Sequence, residues 1–159
     1  MKRTFLALIV ILTAAGSARA SKTGDLGVGA MLGSPMGVTA KYFWNETLAF
    51  DGGIGYGNAG VFYADVLLNS WTLVPQTLKS PVNVYFGAGP RLATDDGGQF
   101  AIRTMVGAGY WPTGAPVELF AEVGPTFKVT PDSEVGIDGG VGFRYYFTLT
   151  LTRIKGSPR

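Results

Sequence analysis

Beyond residue 20 the chain alternates with a period of two. One set of alternate positions is apolar, and the other is glycine with scattered charges. In residues 81–89, Val82, Val84, Phe86 and Ala88 alternate with Asn83, Tyr85, Gly87 and Gly89. In residues 135–147, Val135, Ile137, Val141, Phe143, Tyr145 and Phe147 alternate with Gly136, Asp138, Gly140, Gly142, Arg144 and Tyr146. This period belongs to β-strands with two unlike faces. It predicts eight strands, over 24–32, 37–44, 47–56, 61–69, 81–89, 100–111, 116–127 and from 135 onward, the last continuing through Leu149 and Leu151. Turns are expected at 33–36, 57–60, 112–115 and 128–134, with a two-residue hairpin at Asn45-Glu46. Residues 91–99, containing Asp95-Asp96-Gly97-Gly98, read as a loop. Residues 70–80 break the rhythm, and Pro75 within them cannot donate to a ladder. No helical period appears. The fold class expected is all-β, a single up-and-down antiparallel barrel.

Alternation alone does not say which face is inside. A soluble barrel hides its apolar face, and a membrane barrel turns it to lipid. Three features favour the membrane. The polar face is mostly glycine and too poor in charge for a good water-facing surface. Glycine suits the narrow interior of an eight-stranded barrel. The apolar face carries aromatic residues towards strand ends, namely Trp44, Tyr56, Tyr110, Trp111, Tyr145 and Phe147, as in the girdles at the two water boundaries of such barrels. The strands are also long enough to cross a bilayer at a tilt.

The first twenty residues carry the marks of a secretory signal. Lys2 and Arg3 precede an apolar run over 5–15 that is too short to span a bilayer as a helix, and Ala18-Arg19-Ala20 has the A-x-A form of a cleavage site. The expected organisation is therefore a cleaved signal over 1–20, a barrel domain over 21–152 and a short basic tail over 153–159. Of the 13 basic residues, Lys2, Arg3 and Arg19 belong to the signal; the other ten face 11 acidic residues, a net charge of −1. Such a balance leaves no nucleic-acid footprint. The chain has no Cys and no His, so disulfides and thiolate metal sites are excluded and the commonest general base is missing.

With these features the chain resembles the small eight-stranded outer-membrane barrels of Gram-negative bacteria, such as the outer-membrane protein A transmembrane domain and the opacity-type proteins. The resemblance covers essentially all of the chain after residue 20. It rests on architecture and on the aromatic last strand Val141-Gly142-Phe143-Arg144-Tyr145-Tyr146-Phe147. It implies residence in the outer membrane, contact with its lipids, and recognition of that last strand by the outer-membrane assembly machinery. In the family that signal usually ends in a terminal Phe; here 12 residues follow Phe147.

With the polar face inward, the lumen collects Lys41, Asp51, Asp65, Arg103, Glu118, Glu122, Asp138 and Arg144. Charges in so narrow a space must pair, because unpaired burial is costly. Hairpin parity places Arg103 opposite or diagonal to Glu122, and Glu118 opposite Arg144. The expected result is an Arg–Glu network that plugs the barrel and fixes its register. Glu118 and Glu122 are about 13 Å apart along one strand face, too far for a glycosidase pair, which needs about 5–9.5 Å. Gly55-x-Gly57-x-x-Gly60 matches a dinucleotide fingerprint in letters, but a strand follows it where a helix is required. The sequon at Asn45 and the carboxylates Asp95-Asp96 carry no strong expectation.

No catalytic residue, cofactor or metal site is expected. The leading expectation is a non-enzymatic barrel of the cell outer membrane with a structural or surface-interaction role. Its external loops would be 33–36, 57–60, 91–99 and 128–134, with 91–99 the best candidate contact to a surface partner that the sequence does not name. The alternatives are a soluble periplasmic barrel binding an apolar ligand, a narrow pore, and a lipid-modifying barrel enzyme. The absence of His speaks against the last.

Overall fold

The computed structural model describes residues 23–56, 59–75, 81–94 and 98–148. The proposed signal, the basic tail, Leu149, Leu151, the Asp95-Asp96 pair, Gly57 and residues 76–80 lie outside these. Eight strands follow in chain order: β1 (Asp25–Ser34), β2 (Met36–Phe43), β3 (Leu48–Tyr56), β4 (Gly60–Ser70), β5 (Val82–Ala93), β6 (Gln99–Tyr110), β7 (Val117–Thr130) and β8 (Glu134–Thr148). Each strand pairs antiparallel with its sequence neighbour, and β1 closes on β8. The closing seam runs without interruption from Asp25 opposite Thr148 to Ser34 opposite Gly139. The sheet therefore has no free edge, the arrangement that removes unpaired backbone groups from the rim of a sheet.

Expected connections are in places replaced by strand or lengthened. Residues 33 and 34 continue β1 and Met36 opens β2, so the turn expected over 33–36 shrinks to Pro35. Residues 91–93 continue β5, so the link to β6 runs over 94–98 in sequence rather than 91–99. Lys128–Thr130 continues β7 and Glu134 opens β8, leaving three residues, 131–133, in that turn. Lys128 and Glu134 face each other across it and form a 2.7 Å ion pair. Alternation is hard to read in polar residues next to a turn, which is why these extensions looked like loop. The hairpin at Asn45-Glu46 is longer than two residues. Its connection is Trp44–Thr47, and Asn45 Oδ1 accepts hydrogen bonds from the backbone N–H groups of Thr47 (2.9 Å) and Leu48 (2.7 Å), a side-chain mimic of a turn.

Glycine has a defined job inside the barrel. Four inward aromatic rings each lie across a glycine that is their own cross-strand partner: Tyr146 on Gly27, Tyr63 on Gly53, Tyr85 on Gly107 and Phe120 on Gly142. A Cβ on Gly107 would come within 2.3 Å of the Tyr85 ring, and one on Gly53 within 2.6 Å of Tyr63. The absence of a side chain is what lets each ring lie flat along the wall.

Two Gly-Pro steps interrupt the ladders. Gly89-Pro90 on β5 coincides with a gap in pairing to β4 between Tyr63 and Val66. Gly124-Pro125 on β7 coincides with a gap in pairing to β6 between Arg103 and Val106. Proline has no N–H to donate, so each opens one ladder while the ladder on its other side continues, through Ile102 for Pro90 and Ile137 for Pro125.

Candidate functional site in the lumen

The strands contain twelve charged residues, and their positions follow one rule. Asp25, Lys41, Asp51, Asp65, Arg91, Arg103, Glu118, Glu122, Lys128, Glu134, Asp138 and Arg144 all occupy the inward set, and no outward position of any strand holds Asp, Glu, Lys or Arg. The outward set leaves large apolar side chains on the surface all around the barrel, among them Leu32, Val38, Ile54, Leu68, Phe86, Val123, Ile137 and Phe143. The buried set includes Lys41, Asp51, Asp65, Arg103, Glu118, Glu122, Asp138 and Arg144. Polarity is thus inverted relative to a water-soluble barrel.

The lumen residues form three levels. The first lies towards the end carrying the chain's described termini. There Glu118 accepts from Lys41 Nζ at 3.1 Å, Arg144 Nη1 at 3.2 Å and Tyr146 Oη at 2.6 Å. Glu118 and Arg144 are direct register partners. Arg144 Nη2 also donates to Asp51 Oδ2 at 2.9 Å and to Thr39 Oγ1 at 3.0 Å, and Thr39 in turn donates to Asp51 Oδ1 at 3.1 Å. Two cations and two carboxylates balance. The aromatic walls support them: Lys41 Nζ sits 4.3 Å from the Tyr85 ring centre, and the Arg144 guanidinium lies 3.7 Å from that of Phe120.

At the second level Arg103 stands between two carboxylates. Its Nη2 donates to Glu122 Oε1 at 2.9 Å, and Tyr85 Oη donates to Glu122 Oε2 at 3.0 Å. Its Nε is 3.4 Å from Asp65 Oδ2, an ion pair not aligned as a hydrogen bond. Arg103 and Glu122 are neither opposite nor diagonal, contrary to the hairpin expectation. Arg103 pairs with Thr126 and Glu122 with Gly107, so the contact spans four residues of β6 and is made by side-chain length. The third level holds Asp138, 3.1 Å from Arg91. Arg91 was expected in a loop. Its place in β5 makes it an inward residue that alternation would have found had Pro90 not been read as the strand's end.

The end near the first level is closed by an aromatic cluster. Phe43, Trp111 and Tyr146 pack with ring centres 4.6–6.3 Å apart, and Trp71 covers Trp111 at 6.1 Å. Trp111 Nε1 donates to Asn83 Oδ1 at 3.0 Å, and Asn83 donates to Asn69. Trp111 was expected among the outward aromatics, and this is corrected: it is 3% exposed and points inward. Its odd number gives the parity of Arg103 and Met105, and its N–H, bonded to Pro81 O, carries the ladder one residue past β6. The other five, Trp44, Tyr56, Tyr110, Tyr145 and Phe147, lie on the outer surface. Trp44, Tyr110, Tyr145 and Phe147 gather at the aromatic-closed end, and Tyr56 stands at the opposite one.

Glu118 and Glu122 are both engaged by cations, and among the described residues no three Asp or Glu come together as a metal cage. No helix among the described residues is long and apolar enough to cross a membrane, which says nothing of crossing by strands.

No protein-family model and no curated protein matches the chain. Among solved structures it is similar to the crystal structure of the N-terminal β-barrel domain of Pseudomonas aeruginosa OprF, at 17% identity and a TM-score of 0.48, covering 79% of this chain and 100% of that one.

Proposed function

We propose that the chain is an outer-membrane β-barrel protein with a structural or surface-interaction role, its lumen plugged by the Arg–Glu network, and without catalytic activity. One observation carries this reading: all strand charges are inward and none outward. In water, an apolar surface that continues around every strand would far exceed the few hundred Å² of contiguous apolar patch that soluble monomers show. In a bilayer the same surface is the solvent-matched one, and closure of the sheet leaves no free edge of backbone groups for lipid to satisfy. The outward aromatics Trp44, Tyr110, Tyr145 and Phe147 then mark one water boundary and Tyr56 the other. The same facts weigh against a soluble barrel holding an apolar ligand, because the apolar face is not in the lumen. The filled first level and the aromatic cluster weigh against a pore.

The aromatic-closed end, with the described termini and the 71–81 connection, faces the periplasm in this reading. The assembly machinery recognises the last strand, 141–147. The test is the full chain refolded in detergent, run on a gel with and without boiling, together with envelope fractionation and planar-bilayer recording. The expected results are a heat-dependent mobility shift, recovery with the outer membrane, and no resolved conductance steps. Recovery in the soluble periplasm without a shift would overturn the membrane assignment, and steady single-channel steps would overturn the plug.

A further inference from the structure

The mouth of the barrel that bears the 131–133 turn is uneven. Pro35 has no N–H to donate and stops β1 at Ser34. Pairing across the seam ends there, with Ser34 opposite Gly139, and below that point the wall is closed. β8 begins earlier, at Glu134, so residues 134–138 rise past the end of β1 and pair with β7 alone. The direction of their backbone groups follows from the seam below. The carbonyl oxygens of Phe143 and Gly139 stand against Gly29 and Gly33 of β1. Backbone direction alternates along a strand, so the N–H and C=O groups of Ile137 and Val135 point to that same side, above the end of β1. Among the described residues nothing receives them.

The side chains of this rim match its backbone. Residues 134–137 are all exposed. Ile137, 77% exposed, is the most open large apolar side chain among the described residues, and Val135 is 66% exposed. Neither has a cross-strand neighbour on the β1 side. Natural sheets blunt an open edge with proline, lysine or a bulge. Residues 134–138 contain none of these. The two carboxylates in the segment are already engaged, Glu134 by Lys128 and Asp138 by Arg91.

We propose that residues 134–138 are a docking edge for an extended segment of another protein, added antiparallel to β8 along the line on which β1 would have continued. Two spaced donor–acceptor pairs on one strand call for a polypeptide backbone, not for a lipid or a small molecule. Antiparallel pairing lets the residues opposite Ile137 and Val135 each exchange two hydrogen bonds. Their side chains fall on the outer face and pack there as apolar cross-strand partners. The residue between them faces Gly136 and meets no side chain. The described chain ends lie at the far end of the seam, where Asp25 faces Thr148, so neither terminal segment starts near this edge. A second copy in the same membrane does not fit. Both β8 strands would run the same way, and strands tilted by about 40° cross when a two-fold along the membrane normal relates them. The inference rests on the membrane reading for that exclusion and for the compartment the edge faces, not for the edge itself.

The probe is a synthetic peptide, acetyl-Lys-Thr-Val-Cys-Val-Thr-Lys-amide, whose Cys takes the place facing Gly136. The chain has no Cys, so Gly136→Cys gives the full chain a single thiol. A Cβ there meets nothing closer than Thr126 O at 4.0 Å, so the thiol is tolerated. This is the non-hydrogen-bonded pair of the added strand, with Cα atoms about 4.5 Å apart and within disulfide reach. The mixed disulfide is measured by mass at equilibrium in a thiol buffer. Two control peptides are compared, one with its Cys moved by one residue and one N-methylated on both Val residues. The matched peptide should exceed both by about tenfold, the size of one or two net backbone hydrogen bonds. Val135→Pro, added to Gly136→Cys, removes a donor that the fold does not use. It should bring the matched peptide down to the controls and leave the heat-dependent mobility shift in place. The N-methylated peptide makes the same test on an unaltered edge if that variant does not refold. Equal yields from matched and control peptides would overturn the docking edge. Disulfide-linked barrel dimers in lipid vesicles, formed in preference to the peptide adduct, would overturn the partner in favour of a second copy. The peptide assay is run in detergent. A chain that lost the mobility shift yet took up the matched peptide would keep the edge and lose the membrane reading, so the two fail separately.

Discussion

Glu118 is the residue on which the first level depends, and its contribution can be isolated by a double-mutant cycle with Lys41. Glu118→Gln keeps the shape and one acceptor but removes a charge that meets Lys41 at 3.1 Å and Arg144 at 3.2 Å, with both partners fully buried. The cluster passes from neutral to one net positive charge. Removing one member of a buried pair typically costs 3–5 kcal/mol, and because Arg144 keeps Asp51 we place this variant at about 3 kcal/mol. Lys41→Met fills the stem's place beside the Tyr85 ring and leaves one net negative charge; Glu118 keeps Arg144 and Tyr146, and the expected loss is about 2 kcal/mol. The double variant is neutral again, with the Arg144–Asp51 pair at 2.9 Å intact. It should lose only about 3 kcal/mol in total, a coupling of about 2 kcal/mol where independent sites agree with additivity to within about 0.5 kcal/mol. The assay is urea unfolding of the refolded barrel followed by tryptophan fluorescence, with coincident folding and unfolding curves required before any free energy is compared. Additive losses would refute the network as a coupled unit, and losses below about 1 kcal/mol in both singles would refute its burial from water.

Two further predictions follow from the wall and the second level. Arg103→Ala strands Glu122 and Asp65 without their shared cation and should cost about 3 kcal/mol, read as a marked fall in unfolding temperature; an unchanged temperature would remove Arg103 from the network. Val123→Arg, on the outward face near the middle of β7, should cost about 2–4 kcal/mol in lipid, measured by urea titration in vesicles. A loss near zero there would mean that this face does not meet the bilayer interior.

Strand count, strand parity and closure into a single barrel were legible in the sequence because period two survives wherever apolar and polar residues truly alternate. The lumen charges could be named for the same reason. What failed did so where alternation has no contrast. Lys128 and Glu134 sit beside a turn with polar neighbours, and Arg91 follows a proline that normally ends a strand. Trp111 was misplaced because an aromatic residue at a strand end satisfies two patterns at once, an outer girdle and an inner lid. Its odd position settles the matter in favour of the lid, and a strict count from Arg103 would have found it. Register was legible for Glu118 and Arg144, which face each other directly. It was not legible for Arg103 and Glu122, because a contact made across four residues by long side chains leaves no trace in strand parity. The two Gly-Pro steps were read differently, Gly89-Pro90 as the end of a strand and Gly124-Pro125 as the interior of one, yet the closed barrel treats both alike by opening one ladder and keeping the other.

The many glycines of the inward face admit two explanations, and one substitution made at two places separates them. If glycine serves only to keep a narrow lumen from overfilling, added volume should cost similar amounts at any inward site. If glycine seats a particular ring, cost should follow the ring. Gly107 and Gly136 are both inward, and neither has a left-handed backbone. At Gly107 a Cβ would stand 2.3 Å from the Tyr85 ring, which is itself held by Glu122 and by the Lys41 ammonium. The ring cannot yield without disturbing both charge levels, so Gly107→Ala should cost about 1–3 kcal/mol, the range for overpacking a fixed core. At Gly136 the new methyl enters open space, and Gly136→Ala should be neutral or gain about 0.4–1 kcal/mol through the unfolded chain. Opposite signs in urea titrations of the two variants would tie glycine to the cross-strand ring. That result would also explain why four inward aromatics each face one across the ladder, since the pair fixes which residue must stand opposite which. Equal losses at both sites would leave lumen volume as the explanation and would deprive these pairs of any part in setting the register.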